Sequence, residues 1–210
     1  MAITKQQITT LDELAAFIDN SGFFDSVTFA SSIISCYDTD ANLILKIDGS
    51  GYGNIRAYAD DTNYNECGFS GGNNWFKCTA YSTEKGIMLA GVNNGSGSSL
   101  VASKTNNGKY GVLLPNPYRI SDGILTTQYA IAWGDSAPFT GVVFCGAPNS
   151  TQTDNQTHFM KIMTHAALGQ KSYFADAFFL PVSQYRIEGV FTDENGIKYV
   201  TDGFVCLRDE

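Results

Sequence analysis

Short runs of apolar or alternating residues recur along most of the chain and predict β-strands. Each run is about 5–7 residues long, and runs return every ~8–12 residues, a spacing typical of sandwiches and barrels. Helices long enough for parallel crossovers are missing. The predicted strands are residues 27–29, 33–37, 42–48, 54–59, 75–81, 87–91, 100–104, 109–114, 125–133, 141–145 and 173–180. The sequence therefore predicts a mainly β fold, an antiparallel β-sandwich or jelly-roll-like domain.

Tight-turn sequences separate several of these runs and predict β-hairpins. Asp-Glu-Asn-Gly at residues 193–196 lies between two runs rich in aromatic and β-branched side chains. Thr-Asn-Asn-Gly at residues 105–108 gives a similar signal, because Asn and Gly tolerate the positive φ of a tight reversal. The second strand of the terminal hairpin is predicted to continue almost to the last residue. Residues 60–65 are predicted to form a polar loop.

Apolar residues with helical spacing occur at two places in the chain. Residues 8–24 predict a helix, with Thr9 or Thr10 as its N-cap and a stop at residues 20–22. One face of this helix is apolar, formed by Leu11, Leu14, Ala15 and Ile18. Residues 158–168 are ambiguous, because their methionines keep helical spacing but a strand pairing also fits.

The chain shows no clear linker after its predicted N-terminal helix. We therefore expect an N-terminal helical segment over residues 1–25 and a single β-rich domain over residues 26–210. An amphipathic helix in front of a β domain has two uses. It covers the open end of a sandwich in its own chain, or it docks on another subunit, and the sequence leaves both open.

The composition is acidic but low in charge. Charged residues make up 16 % of the chain, the net charge is −8, and there are 21 Gly, 14 Phe and 11 Tyr. An acidic chain without a Lys/Arg-rich run argues against nucleic acid and anionic membranes as partners. Few charges with many aromatics fit an all-β domain, and they also fit a chain that buries surface against neighbouring subunits.

The start of the chain and its cysteines indicate a reducing compartment. Residues 1–7 lack the apolar core of a signal peptide, and no apolar stretch approaches the ~18 residues of a membrane span. An odd number of cysteines in such a chain favours free, mostly buried thiols. A disulfide between Cys67 and Cys78 is the minor alternative. The five cysteines are Cys36, Cys67, Cys78, Cys145 and Cys206.

No motif in the chain predicts a catalytic, cofactor or metal site. Residues 68–72 match Gly-x-Ser-x-Gly around Ser70, but a hydrolase needs a helix directly after the serine, and Gly-Gly-Asn-Asn follows here. His158 and His165 have no accompanying zinc-ligand motif. Asp38 and Asp40 begin like a calcium loop but lack its later Gly and Glu, so an Asp-rich turn is favoured over a looser calcium site. We predict that the protein is not an enzyme.

Several aromatic residues lie close to glycine-rich loops. Trp75, Tyr52, Tyr64 and Tyr81 are the members of this group. If exposed, their rings offer a stacking surface for sugars, because an aromatic face combines apolar area with a polar edge. Burial in a core or an interface is the more common use of such residues, and it is the favoured interpretation.

Four segments in the C-terminal half carry a resemblance to a known family. They are Asn-Gly-Ile-Lys-Tyr-Val-Thr-Asp-Gly-Phe at residues 195–204, the short end at 208–210, Gly-Lys-Tyr-Gly-Val at 108–112, and residues 173–181. Through these segments the chain resembles virion structural proteins of tailed phages of Firmicutes. These motifs describe strands and turns, so no catalytic residues carry over. The resemblance implies a β-rich particle component, with a tail-tip or baseplate position favoured over a capsid decoration.

This resemblance sets the functional expectation. It implies a protein made in the host cytoplasm and located in the virion, with other virion proteins and copies of itself as partners. Such components are normally symmetric oligomers. The alternative is a carbohydrate- or host-receptor-binding β-sandwich module that recognises a cell-surface glycan through the aromatic residues named above.

Overall fold

The computed structural model describes residues 3–50, 53–68, 77–92, 99–115, 130–133, 157–164, 172–180 and 187–210. Within these ranges the protein is mainly β, with three antiparallel sheets and one short α-helix. The predicted mainly β, sandwich-like fold class is confirmed. The predicted strand at residues 141–145 lies outside the described residues.

The chain begins with a strand that the sequence did not predict. Strand β1, Thr4–Ile8, pairs antiparallel with β7, so Ile8 belongs to a strand and not to the predicted helix. Helix α1, Leu11–Ser21, follows directly. Thr10 is its N-cap: its side chain accepts from the Glu13 amide while the Glu13 carboxylate accepts from the Thr10 amide. This capping box ends β1 and starts α1 within two residues.

Helix α1 packs against its own chain. Leu14, Ala15, Phe17 and Ile18 are buried, and they belong to the same apolar core as the first sheet. Gly22 ends the helix in the left-handed conformation, with φ of 62°, as the Asn-Ser-Gly sequence predicted. Of the two uses left open by the sequence, the structure shows the covering role.

The first sheet is a five-stranded meander. Its strands follow one another in chain order, so each pairs with its sequence neighbour. Strand β4 lies at the centre, as its apolar sequence predicted. Residues 64–65 were predicted to be loop but begin strand β6. The strands are β2 Ser26–Ala30, β3 Ile33–Tyr37, β4 Leu43–Asp48, β5 Asn54–Tyr58 and β6 Tyr64–Gly68.

The central sheet has six strands in the order β1-β7-β8-β9-β10-β11. The predicted hairpin at residues 105–108 joins β9 to β10 and is confirmed, with Gly108 at φ of 74°. The predicted strand 125–133 is described only over β11. The further strands are β7 Cys78–Thr83, β8 Gly86–Ala90, β9 Leu100–Lys104, β10 Tyr110–Leu113 and β11 Ala130–Ala132.

The C-terminal sheet has five strands in the order β12-β13-β16-β15-β14. The predicted terminal hairpin is confirmed as β14–β15. Its second strand is shorter than predicted, because a turn at residues 202–204 divides it into β15 and β16. The ambiguous segment 158–168 forms a strand at β12. The strands are β12 Met160–Met163, β13 Tyr173–Phe179, β14 Gly189–Thr192, β15 Lys198–Thr201 and β16 Val205–Arg208.

The middle strands of the central sheet are buried on both of their faces. On β8, Ile87 and Leu89 join the core shared with the first sheet and α1, whereas Met88 joins the core shared with the C-terminal sheet. Every residue of β7, β8 and β10 is buried. The fold is therefore a three-layer stack, and its doubly buried middle layer explains part of the low charge content.

Candidate functional site

The residues weighed for catalysis and metal binding form no recognisable site in the described structure. Ser70 and His165 lie outside the described residues, and His158 lies just before β12. In the part of the chain that the structure describes, no group of three or more His, Cys, Asp or Glu could hold a metal ion.

Asp38 and Asp40 lie in a tight turn between β3 and β4. One carboxylate oxygen of Asp38 accepts from the backbone amides of Asp40 and Asn42, at 3.0 and 2.8 Å. The other accepts from the Asn42 side-chain amide at 2.9 Å. Ala41 has a φ of 63°, which such a turn requires. The Asp38 carboxylate therefore stabilises its own turn, as the favoured interpretation predicted.

The aromatic residues considered as a sugar-stacking surface lie in different environments. Tyr81 is 0 % exposed, so it is not part of any surface platform, and burial raises the pKa of its hydroxyl. That hydroxyl donates to Glu188 at 3.1 Å, linking the middle layer to the start of β14. Trp75 and Tyr52 lie outside the described residues. Tyr64 is the member that the structure places at the surface.

Tyr64 lies on β6, the edge strand of the first sheet, and is 39 % exposed. Its ring centroid is 5.4 Å from that of its cross-strand neighbour Tyr58. The Arg56 guanidinium lies 4.7 Å from the Tyr64 centroid, and its Nε is 2.7 Å from a Glu66 carboxylate oxygen. We call these four residues the tyrosine platform. It combines an exposed ring with fixed donors and acceptors, the arrangement that suits a polar ligand with apolar patches.

A second aromatic cluster lies where α1 ends. The Tyr110 ring stacks on Phe24 and meets Phe23 edge-on, while its hydroxyl donates to Asp25 at 2.7 Å. The Lys104 ammonium lies 3.0 Å from the Tyr110 centroid. Burial lowers the pKa of Lys104 and raises that of Tyr110. The Tyr110 hydrogen bond in turn lowers the pKa of Asp25. These contacts hold the segment directly after α1 against the central sheet.

A cavity of about 580 Å³ borders this cluster. Its lining includes side chains of both charges, which are Lys85, Lys104, Glu84 and Asp176. Among the described lining residues there is no histidine or cysteine, and so no nucleophile–histidine pair. The described walls therefore provide mixed polar contacts without a recognisable catalytic arrangement.

The described cysteines are buried. Cys67 and Cys78 form no disulfide with each other, as the favoured interpretation predicted. Burial raises the pKa of Cys67 to about 11 and that of Cys78 to about 12, so little reactive thiolate is present at neutral pH. Cys36 and Cys206 are also buried, and Cys145 lies outside the described residues.

Two edge strands carry exposed apolar side chains. On β14, the edge of the C-terminal sheet, Val190 is 52 % exposed, and nearby Ile187 is 94 % exposed. On β2, the edge of the first sheet, Phe29 is 40 % exposed. Neither strand contains a charged residue or a proline. Natural edge strands normally carry such residues to prevent pairing with other chains.

The class of this protein is defined by its fold, because comparison with known proteins gives no match. No family model, no curated protein and no solved structure matches this chain. It is a mainly β protein with three antiparallel sheets in its described part. No helix in that part is long and apolar enough to cross a membrane.

Proposed function

We propose that this chain is a non-enzymatic structural component of a tailed-phage particle, in the tail tip or baseplate rather than as a capsid decoration. It acts through self-association and contacts with other virion proteins, and its location is the virion. Support comes from the strand and turn motifs of its C-terminal half, from its acidic composition, and above all from the exposed apolar edge at β14.

The β14 edge extends the apolar inner face of the C-terminal sheet beyond the core. Val190 is paired in register with Val200, which is fully buried between the two sheets. The two side chains share a face, yet Val190, on the edge strand, is half exposed. Burying an aliphatic side chain fully contributes about 1.5–3 kcal/mol. A neighbouring subunit that covers Val190 and Ile187 therefore makes the free energy of association more favourable.

The backbone of β14 is also suited to pairing. In the described structure β14 pairs with β15 on one side and with no strand on the other. Three other edges are protected: β1 carries Lys5, β6 carries Glu66, and β12 carries Lys161 beside a register shift. The β14 edge lacks these features, so strand addition here buries apolar surface and satisfies backbone groups together.

Self-association through this edge is tested by Val190→Lys. The lysine adds a charge at the proposed contact while leaving the core intact, since its stem can lie along the sheet. We expect the wild-type protein to form a defined oligomer in light scattering after size exclusion. We expect the variant to dissociate at least about tenfold more readily, a change of about 1.4 kcal/mol.

The matched control is Gln6→Lys, which adds the same charge to the exposed edge strand β1. It is expected to leave the oligomer unchanged. A wild-type protein that is monomeric at all concentrations would contradict the proposed self-association. Equal dissociation of both variants would show that the β14 edge is not the contact.

A second function is favoured by one observation, the exposed tyrosine platform. We propose as the alternative that this surface binds a carbohydrate or host receptor glycan. Tyr64→Ala is expected to weaken glycan binding at least about tenfold, since stacking on an aromatic face provides much of such binding. Tyr64→Phe keeps the ring and is expected to retain most of it.

A glycan array with the full chain is the measurement for this alternative. Phe29→Ala, which removes an exposed ring from a different strand, is the control and should bind as the wild type does. Glycan binding that survives Tyr64→Ala would exclude the platform as the binding site, and absence of binding to any glycan would remove the alternative.

A further inference from the structure

A shallow groove of about 250 Å³ runs between helix α1 and strand β2. We call it the α1–β2 groove. Its apolar side chains are Ala15 and Ala16 from the helix and Val27 and Phe29 from the strand. Its charged lining is two carboxylates, Asp12 and Asp19. They lie seven residues apart on the helix, about 10.5 Å along its axis.

The two carboxylates have no ionic or hydrogen-bonding partner among the described residues. Asp12 lies in the first turn of α1, where the helix dipole favours a negative charge. Asp19 lies near the C-terminal end, where the dipole disfavours one, and the last turn has no basic residue. Asp19 therefore does not serve helix stability, and a residue that breaks a local rule without compensation points to a contact outside the helix.

The strand beside the groove has an unused edge. In the described structure β2 pairs with β3 on one side and with no strand on the other. Its sequence, Ser-Val-Thr-Phe-Ala, has no charge, no proline and no bulge against β3. Val27 and Phe29 face the groove side, because they pair with Cys36 and Ile34 of the core face. An added strand would therefore place alternate side chains directly over the groove.

We propose that the α1–β2 groove binds an extended segment of a different protein that pairs with β2. This segment places an apolar side chain against Val27 and Phe29 and Lys or Arg side chains beside Asp12 and Asp19. The inference rests on the proposed function, since it specifies one of the contacts with other virion proteins. It involves a different surface from the β14 edge.

The negative charge of the groove disfavours a second copy of this chain as its occupant. A symmetric antiparallel pair of β2 strands keeps both groove faces on the same side of the joined sheet. Both α1 helices would then lie over one seam, with Asp12 and Asp19 of each copy bringing four carboxylates together. Like charges at such a contact repel, whereas a basic segment neutralises both carboxylates.

The probe is a fluorescein-labelled heptapeptide of alternating Lys and Val, titrated with the full chain by fluorescence anisotropy. A peptide of alternating Glu and Val is the probe control. We expect the Lys peptide to bind and the Glu peptide not to bind. The double variant Asp12→Asn/Asp19→Asn is expected to weaken binding at least about tenfold, because it removes both charges without changing side-chain shape.

The matched control is Asp40→Asn/Asp61→Asn, which changes the net charge equally at two exposed loop positions. It should bind the Lys peptide as the wild type does. Amide hydrogen exchange should show that the peptide protects β2. Thermal unfolding of both doubles verifies that they are folded.

Three results with the Lys peptide would overturn the inference. They are no binding of the Lys peptide at about 1 mM, equal weakening in both double variants, and binding without protection of β2. A wild-type oligomer that dissociates on Thr28→Lys would make β2 a contact between copies and also overturn it. Val190→Lys should retain peptide binding, so failure of the groove and failure of self-association at β14 are distinguished.

Discussion

Replacing Phe174 with alanine is expected to lower the free energy of unfolding by about 4 kcal/mol. Phe174 is 0 % exposed and lies in the core between the central and C-terminal sheets. It also forms an isolated bridge with Thr105, so its backbone and ring both join these layers. A Cβ added at Gly111 would lie 3.0 Å from its ring, which shows how closely the central sheet approaches.

Urea unfolding followed by tryptophan fluorescence and circular dichroism measures this loss. Phe29→Ala is the matched control, because it removes the same side chain from a 40 % exposed position. Phe29→Ala is expected to lower the free energy of unfolding by about 1 kcal/mol or less. Similar losses for the two variants would contradict the packing of the C-terminal sheet on the central sheet.

Gly86→Ala is expected to lower the free energy of unfolding by about 3 kcal/mol, because the added methyl group has no room. Gly86 begins β8 opposite β9, and a Cβ there would lie 2.1 Å from the Ala102 carbonyl oxygen. That oxygen belongs to the backbone of a strand in the doubly buried middle layer. Relief therefore requires the two strands to move apart, which disturbs both cores.

The matched control is Gly108→Ala in the β9–β10 turn. Gly108 has a φ of 74°, but a Cβ there meets nothing within 4 Å. Its cost is that of a left-handed alanine alone, about 1–2 kcal/mol. Gly86 also has a positive φ, of 157°, so both substitutions strain the backbone. The difference between the two variants in thermal or urea unfolding therefore reports the steric clash. A Gly86→Ala protein as stable as the Gly108→Ala protein would contradict the close approach of β8 and β9.

The elements predicted correctly are those specified by neighbouring residues. The β9–β10 and β14–β15 hairpins follow from turns ending in Gly108 and Gly196, both at positive φ. The N-cap of α1 is Thr10, one of the two predicted candidates, although the helix begins at Leu11 and not at the predicted Ile8. The position of β4 inside its sheet follows from its apolar sequence. In each case the stabilising contacts are local or between successive strands.

The missed elements depend on contacts between distant residues. Strand β1 is polar and exposed except at Ile8, so it has no strand-like pattern, and its partner β7 lies more than 70 residues away. Tyr81 lies close to glycine-rich loops in the sequence, like the other platform candidates, but the C-terminal sheet covers it. The α1–β2 groove combines helix and strand residues whose proximity only the fold provides. Low charge was consistent with either assembly or burial, and the three-layer core explains part of it.

The most direct test of self-association at the β14 edge is amide hydrogen exchange of the wild-type protein at low and high concentration. If the edges of β14 pair between copies, protection of residues 187–192 rises with concentration, while that of β1 stays constant. Val190→Lys should remove the concentration dependence. Exchange at residues 187–192 that is the same at all concentrations, in a protein that light scattering shows to be oligomeric, would contradict the account.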